Sequence, residues 1–244
     1  MPANTDRLIR KLESIGDLSD EEKRAITSLP LQVREIRRGE DVVREGDVPS
    51  ECCLLIDGFM FRYKVLPDGV RQVLALHTPG DIPDLQSFHL KKMDHSVAAL
   101  VHSKAGFIAH GALDKLVREF PSIGVLLWRD TLIDAAIFRE WIVNVGQRSA
   151  LGGLAHLLCE VFVRLRAVGL VTDHTCELPL TQSELADALG VSAVHVNRTL
   201  QELRGEGLIE FQSRHLTILD WPRLKAAAMF DPAYLHLRDP MIAA

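Results

Sequence analysis

Residues 180–219 read LTQSELADALGVSAVHVNRTLQELRGEGLIEFQSRHLTIL, and the order of signals in them decides the fold of the C-terminal part. Thr181 followed three residues later by Glu184 is a capping box, so a helix opens here and runs to about Leu189. Leu185, Ala188 and Leu189 supply its buried face. Gly190 stops it, and Ser192 caps a second helix to about Leu203, with Val196, Leu200 and Leu203 as the buried set. Two short helices joined by a three-residue turn containing glycine form a helix-turn-helix unit. LIEF and HLTIL then flank QSR as two short strands, a hairpin wing.

On the second helix, Val194, His195 and Arg198 lie opposite the buried set or flank it. That side is free to enter a major groove, where an arginine pairs bidentately with guanine for about 1–3 kcal/mol of discrimination. The plainer alternative is a small helical bundle with a solvated Arg198; the two caps, the glycine turn, the wing and a long upstream helix together favour double-stranded DNA. Charge pulls the other way. Between 179 and 225 five basic residues face six acidic ones, so one monomer is expected to bind non-specifically with weak affinity and a shallow salt dependence.

Upstream, PSIGVLLWRDTLIDAAIFREWIVNV (121–145) starts with a first-turn proline and has no interior breaker except Gly124. Its apolar residues occupy most faces, so it must be covered on most faces. Either it is the central helix of one large core, or it packs on its own domain and on a partner's copy; the second reading is preferred. Gly146 and Gln147 interrupt it, and helix resumes from about Ser149 to Ala167. LVTDHTCELP is a connecting loop or at most one weak strand.

Before residue 110 the texture is different. Leu8, Ile9, Leu12 and Ile15 recur at helical spacing, and Ser19 with Glu22 marks a second helix start. After Pro30, the short β-type runs VREIR, CCLLID, FMFRYKVL and RQVLALH alternate with glycines at 39, 46, 58, 69 and 80. In FMFRYKVL, Phe59, Phe61, Tyr63 and Val65 alternate with a set that includes Arg62 and Lys64, which reads as a half-buried strand. Evenly spaced strands with glycine punctuation predict a barrel or roll.

The 244 residues suit two domains, divided here as 1–145 and 146–244. With 47% apolar and 25% charged residues the chain buries a real core. No apolar run approaches the roughly 20 residues of a membrane span, and no secretory signal is evident. Cys52, Cys53, Cys159 and Cys176 lack metal-ligand spacing, which suits a reducing cytoplasm. A net charge of −5 argues against indiscriminate nucleic-acid binding while leaving a local site open.

This order of parts resembles the superfamily of the cyclic-AMP receptor protein and the fumarate–nitrate reduction regulator. The resemblance runs from about residue 8 to 230, rests most firmly on 180–211, and is supported by RRGEDVVREGD and LIDGFMFRYKVLPDGVRQVLALHTPGD. It implies an α+β protein: an N-terminal double-stranded β-roll of the cyclic-nucleotide-binding, jelly-roll type, a long dimerisation helix, and a C-terminal winged helix-turn-helix. It further implies a homodimeric transcription regulator that works with RNA polymerase, in which a signal in the roll re-sets helix 121–145 and swings the winged domains about Gly146. The family's base-reading positions fall on Ala193, Val194 and Arg198, with Ser192 at a phosphate contact; Thr181, Gln182, Asn197 and Arg214 complete the expected DNA-facing set. Val194 stands where a glutamate is common, so the half-site is expected to differ from the usual one. His195 is either a further contact or a bystander.

The effector cassette departs from the family. Members that bind cyclic nucleotides carry Gly-Glu and, about ten residues on, Arg-Ser/Thr-Ala; here stand Pro83-Asp84 and His95-Ser96-Val97. Pro83 lacks an N–H, Asp84 is shorter, and His95 cannot form the guanidinium fork. Cyclic AMP is therefore not the expected effector. The candidate pocket residues are Asp84, Leu85, Gln86, Ser87, His95 and Ser96, with Asp84 alternatively serving a short helix N-terminus. No cysteine precedes Cys52 to hold an iron–sulfur cluster. His77, His89, His95, His102 and His110 are scattered, so no metal site is expected, and buried inert thiols are the default for Cys52 and Cys53. No effector is named by the sequence.

A sequence-specific, non-enzymatic DNA-binding regulator is therefore expected. The alternatives are a ligand-binding module that docks on a protein partner, and a metal-bearing roll enzyme, for which no nucleophile–base or paired-carboxylate motif speaks.

Overall fold

The computed structural model describes residues 4–238; the outermost residues of the two expected units, 1–3 and 239–244, lie outside the described residues. Two helices lead, α1 (Asp6–Ile15) and α2 (Asp20–Thr27). Leu8, Leu12 and Ile15 are buried along α1, and Ser19 and Glu22 form the reciprocal capping box that opens α2.

Seven strands follow: β1 (Gln32–Ile36), β2 (Asp41–Val43), β3 (Glu51–Asp57), β4 (Met60–Val65), β5 (Arg71–His77), β6 (Ser96–Ala99) and β7 (Ser103–Ala109). They form two antiparallel sheets, ordered β1-β7-β3 and β2-β6-β4-β5. Cys53, Leu55, Met60, Val97, Ala99 and Phe107 form one core shared by both sheets, which is the interior of a roll. The alternate residues Cys52, Leu54, Phe61 and Leu76 join a second core with the helices. β3 and the start of β4 are thus buried on both faces, which corrects the half-buried reading of FMFRYKVL. Arg62, expected on the solvent side, is 3% exposed. The β3–β4 turn needs its glycine: Gly58 has φ +89, and a Cβ there would lie 2.3 Å from the Ser103 hydroxyl.

A short helix, α3 (His110–Glu119), leads into α4 (Pro121–Gly146), which starts on Pro121. Ile123, Leu126, Leu127, Ile133, Ile137 and Trp141 of α4 are buried, whereas Val125, Trp128, Leu132 and Ile142 are exposed. After a break, α5 (Ala150–Ala167) begins with the Ser149 hydroxyl accepting from the Gly152 N–H, and it is buried on almost every face. A hairpin, β8 (Val171–Thr172) and β9 (Thr175–Glu177), stands where a loop or one weak strand is expected. Its turn residues Asp173 and His174 both have positive φ, the geometry of a tight hairpin, and β9 pairs with the wing.

The helix-turn-helix is α6 (Gln182–Leu189) and α7 (Ala193–Gly205), followed by the wing strands β10 (Ile209–Gln212) and β11 (His215–Ile218) and by α8 (Trp221–Ala228). The winged unit docks on the roll. Arg38 pairs with Glu184 at 3.0 Å and Arg71 with Asp187 at 2.5 Å, and the Gln72 side-chain amide donates to the Asp187 carbonyl at 2.9 Å. The architecture is the α+β arrangement expected: roll, long helix, winged helix-turn-helix.

Candidate nucleic-acid interface and effector cavity

The turn between α6 and α7 works because Gly190 takes the left-handed conformation, φ +66, and lets the chain reverse within three residues. Thr181 and Glu184 cap α6 reciprocally, and the Ser192 hydroxyl accepts from the His195 N–H to start α7. Val196, Thr199, Leu200 and Leu203 point inward and fix the rotation of α7, leaving Ala193, Val194 and Arg198 exposed. Two contacts organise this face. The Gln182 amide donates to Asn197 Oδ1 at 3.2 Å, and Arg198 Nη2 donates to His195 Nε2 at 3.4 Å. Thr181 and Gln182 are exposed at the start of α6, and Arg214 is exposed on the wing turn with φ +66. The docking contacts to the roll engage Glu184 and Asp187 and leave the outer face of α7 open.

The six effector candidates are not brought to one point. Asp84 is buried and its Oδ1 accepts from the Cys53 N–H at 2.8 Å. It stands at the N-cap of the short 3-10 turn Leu85–Phe88 and makes no side-chain capping hydrogen bond there. Burial raises its carboxyl to about 7, against the favourable pull of the Cys53 N–H and Arg62. Gln86 donates to His95 Nε2 at 2.9 Å while His95 Nδ1 donates to Asp94 at 2.6 Å, so both ring nitrogens are engaged. Ser87 bridges Cys52 and His110, and the Ser96 hydroxyl accepts from the Glu45 N–H. Leu85 and Gln86 line a cavity of about 70 Å³ beneath α4; Asp84 faces a separate cleft bordered by Arg34, Glu51 and Phe107.

That cavity holds the residues that sequence reading missed. Arg62 donates to Asp134 of α4 at 2.8 Å and to the Pro83 carbonyl at 2.7 Å, so it ties β4 to the long helix and to the cassette loop. Lys11 of α1 bridges Asp81 and Asp130, each at 2.8 Å, and Arg164 of α5 reaches Asp81 at 2.7 Å. These two cations hold the Asp81 carboxylate well below its ordinary range despite its burial. His77, beside Asp81, is kept neutral by burial, its value lowered to about 4. A buried ionic hub thus joins α1, the roll, α4 and α5. Its partners are separated by up to 119 residues, and no local pattern announces them.

Residues 33–120 match the family model of the cyclic nucleotide-binding domain, and residues 154–227 that of the Crp-like helix-turn-helix domain. The chain belongs to the superfamily of the cyclic-AMP receptor protein and the fumarate–nitrate reduction regulator. This Crp–Fnr protein is 28% identical to the nitrogen fixation regulation protein FixK of Bradyrhizobium diazoefficiens, over 92% of this chain and 93% of that one. It is 27% identical to a probable transcriptional activator of Rhizobium leguminosarum bv. viciae, over 86% of each chain. The solved structure of FixK2 from Bradyrhizobium japonicum superposes with a TM-score of 0.74 at 22% identity, covering 82% of this chain and 98% of that one, and shows the same fold. The Crp–Fnr chain is accordingly a DNA-binding transcription regulator, acting through its helix-turn-helix, and its relatives are regulators rather than enzymes.

Its four cysteines are buried and free, and burial raises the Cys52 thiol to about 12. Among the described residues no helix is long and apolar enough to cross a membrane.

Proposed function

We propose that this regulator acts in the cytoplasm as a homodimer on a pseudo-palindromic operator, and that cyclic AMP does not control it. The observation that carries the reading is the unpartnered side of α4. Val125, Trp128, Leu132, Ala135, Arg139 and Ile142 follow one another at alternating steps of three and four, and Trp128 and Ile142 are each 70% exposed. That spacing is the seam of a two-stranded coiled coil, and a large exposed apolar stripe on one helix calls for a partner. A second copy packed along α4 sets two α7 helices about 34 Å apart, one turn of DNA.

In each half-site Arg198 takes guanine, Ala193, Val194 and Asn197 face neighbouring bases, and Ser192, Thr181, Gln182 and Arg214 contact phosphates. His195 supports Arg198. The unit from residue 146 onward carries the DNA contacts, the unit up to 145 carries sensing and dimerisation, and RNA polymerase is the partner at the promoter. Three features speak against cyclic AMP: Pro83 donates no N–H, His95 is already engaged at both nitrogens, and the Pro83 carbonyl is taken by Arg62.

Selection of random duplexes against the purified protein, with and without cyclic AMP, tests the reading. A two-fold consensus unchanged by the nucleotide, bound by a dimer in sedimentation, is expected. A consensus that appears only with cyclic AMP, or binding by a monomer to a single half-site, contradicts it.

A further inference from the structure

Val194 is 81% exposed, more than any other large apolar side chain among the described residues. It sits in the first turn of α7, four residues before Arg198 and on the same outward side. Its surroundings on that side are Ser192, Ala193, Asn197, Arg198 and Gln201, small or polar, so it is an isolated apolar point and not part of a patch that would dock a protein. A β-branched side chain on a helix is held to one dominant rotamer, which presents its two methyls in a fixed direction.

Within a major groove the one alkyl group that projects from the base edges is the C5-methyl group of thymine. Guanine and cytosine present acceptors or a donor at the same depth, and a valine pressed against them would strip water from those groups without replacing its hydrogen bonds. We propose that Val194 reads the 5-methyl group of a thymine in each half-site. The inference rests on the reading that α7 enters the major groove. One helical turn separates Val194 from Arg198, about 6 Å along the axis, so the thymine lies within about two base pairs of the guanine that Arg198 takes.

Replacing thymine by deoxyuridine removes the methyl and leaves every hydrogen-bonding group in place. The test takes the full-length protein, the duplex selected against it, and copies in which each thymine in turn becomes deoxyuridine. Affinities are measured for the parent protein and for Val194→Ala, an exposed change whose thermal unfolding confirms an intact fold. One thymine per half-site is expected to matter. Its loss weakens the parent protein about fourfold, and about fifteenfold when both half-sites are changed, whereas Val194→Ala binds the thymine and deoxyuridine duplexes equally. A selected site with no methyl-sensitive thymine near the guanine, or sensitivity that persists in Val194→Ala, overturns the proposal while the regulator reading stands. Failure to bind any duplex overturns the regulator reading itself.

Discussion

Arg62 on β4 and Asp134 on α4 meet at 2.8 Å between the roll and the long helix, and only one of the two is sealed in: the Arg62 side chain is 4% exposed, that of Asp134 33%. The pair therefore breaks asymmetrically. Asp134→Ala leaves a buried guanidinium with the Pro83 carbonyl as its hydrogen-bond partner and the Phe138 ring beside it, and should destabilise the protein by about 3 kcal/mol. Arg62→Met fills the same space with an apolar chain and lets Asp134 rehydrate, so it should change stability by less than about 1 kcal/mol. Urea unfolding of the two variants measures the difference, and equal losses would contradict the asymmetry.

Asp84 gives the protein a pH dependence opposite to that of an ordinary salt-bridged carboxylate. Burial raises its folded value to about 7, so between the unfolded value near 4 and pH 7 the folded state holds a proton that the unfolded chain has released. Stability from this group is present in acid and is lost as pH rises through 7. Asp84→Asn keeps an acceptor for the Cys53 N–H and removes the charge. It should stabilise the protein at pH 8 by on the order of 3 kcal/mol and leave it nearly unchanged at pH 4. His77 works in the other direction: with its value lowered to about 4, its contribution is complete above 6.5 and is lost as pH falls through 4. The acid limb should therefore survive in Asp84→Asn, which unfolding curves across pH will show.

The contrast between Arg62 and the helix-turn-helix shows what a sequence displays. The capping boxes at Ser19 and Thr181 and the left-handed Gly190 act over three or four residues, so their outcome is written locally. The alternation in FMFRYKVL is equally local, yet it misplaces Arg62, because that residue's burial is decided by Asp134, 72 residues away. Strand β2 and the β8–β9 hairpin are too short to show a period, and the latter is fixed by pairing with β11. The outward residues of α7 were legible as a helix face; the separation of Asp84 from Leu85 and Gln86 was not, since it depends on how the cassette loop sits on β3.

The α4 stripe predicts that Trp128→Glu, with a side chain exposed in the monomer, leaves the fold intact and separates the subunits. Loss of a buried tryptophan at an interface raises a dissociation constant about thirtyfold or more. Sedimentation should shift to monomer, and operator affinity should fall with it. A Trp128→Glu dimer would place the interface elsewhere.

Arg148 staples the break between α4 and α5, donating to Asn144 Oδ1 at 2.7 Å and to Glu140 Oε2 at 2.8 Å. Arg148→Ala should lower hydrogen-exchange protection across 140–150 by about ten- to a hundredfold, with the roll strands unaffected. Unchanged protection there would show that the joint near Gly146 is held by packing alone.

On the proposed function, Arg198 on the outward face of α7 carries the sequence readout. Fluorescence anisotropy of the selected operator and of a scrambled duplex, with the parent protein and with Arg198→Ala, measures it directly. Two guanidiniums removed from the proposed dimer, each worth about 1–3 kcal/mol of discrimination, should collapse the preference for the operator and leave the weak affinity for scrambled DNA little changed. An Arg198→Ala protein that still prefers its operator as strongly as the parent would show that Arg198 does not read the bases.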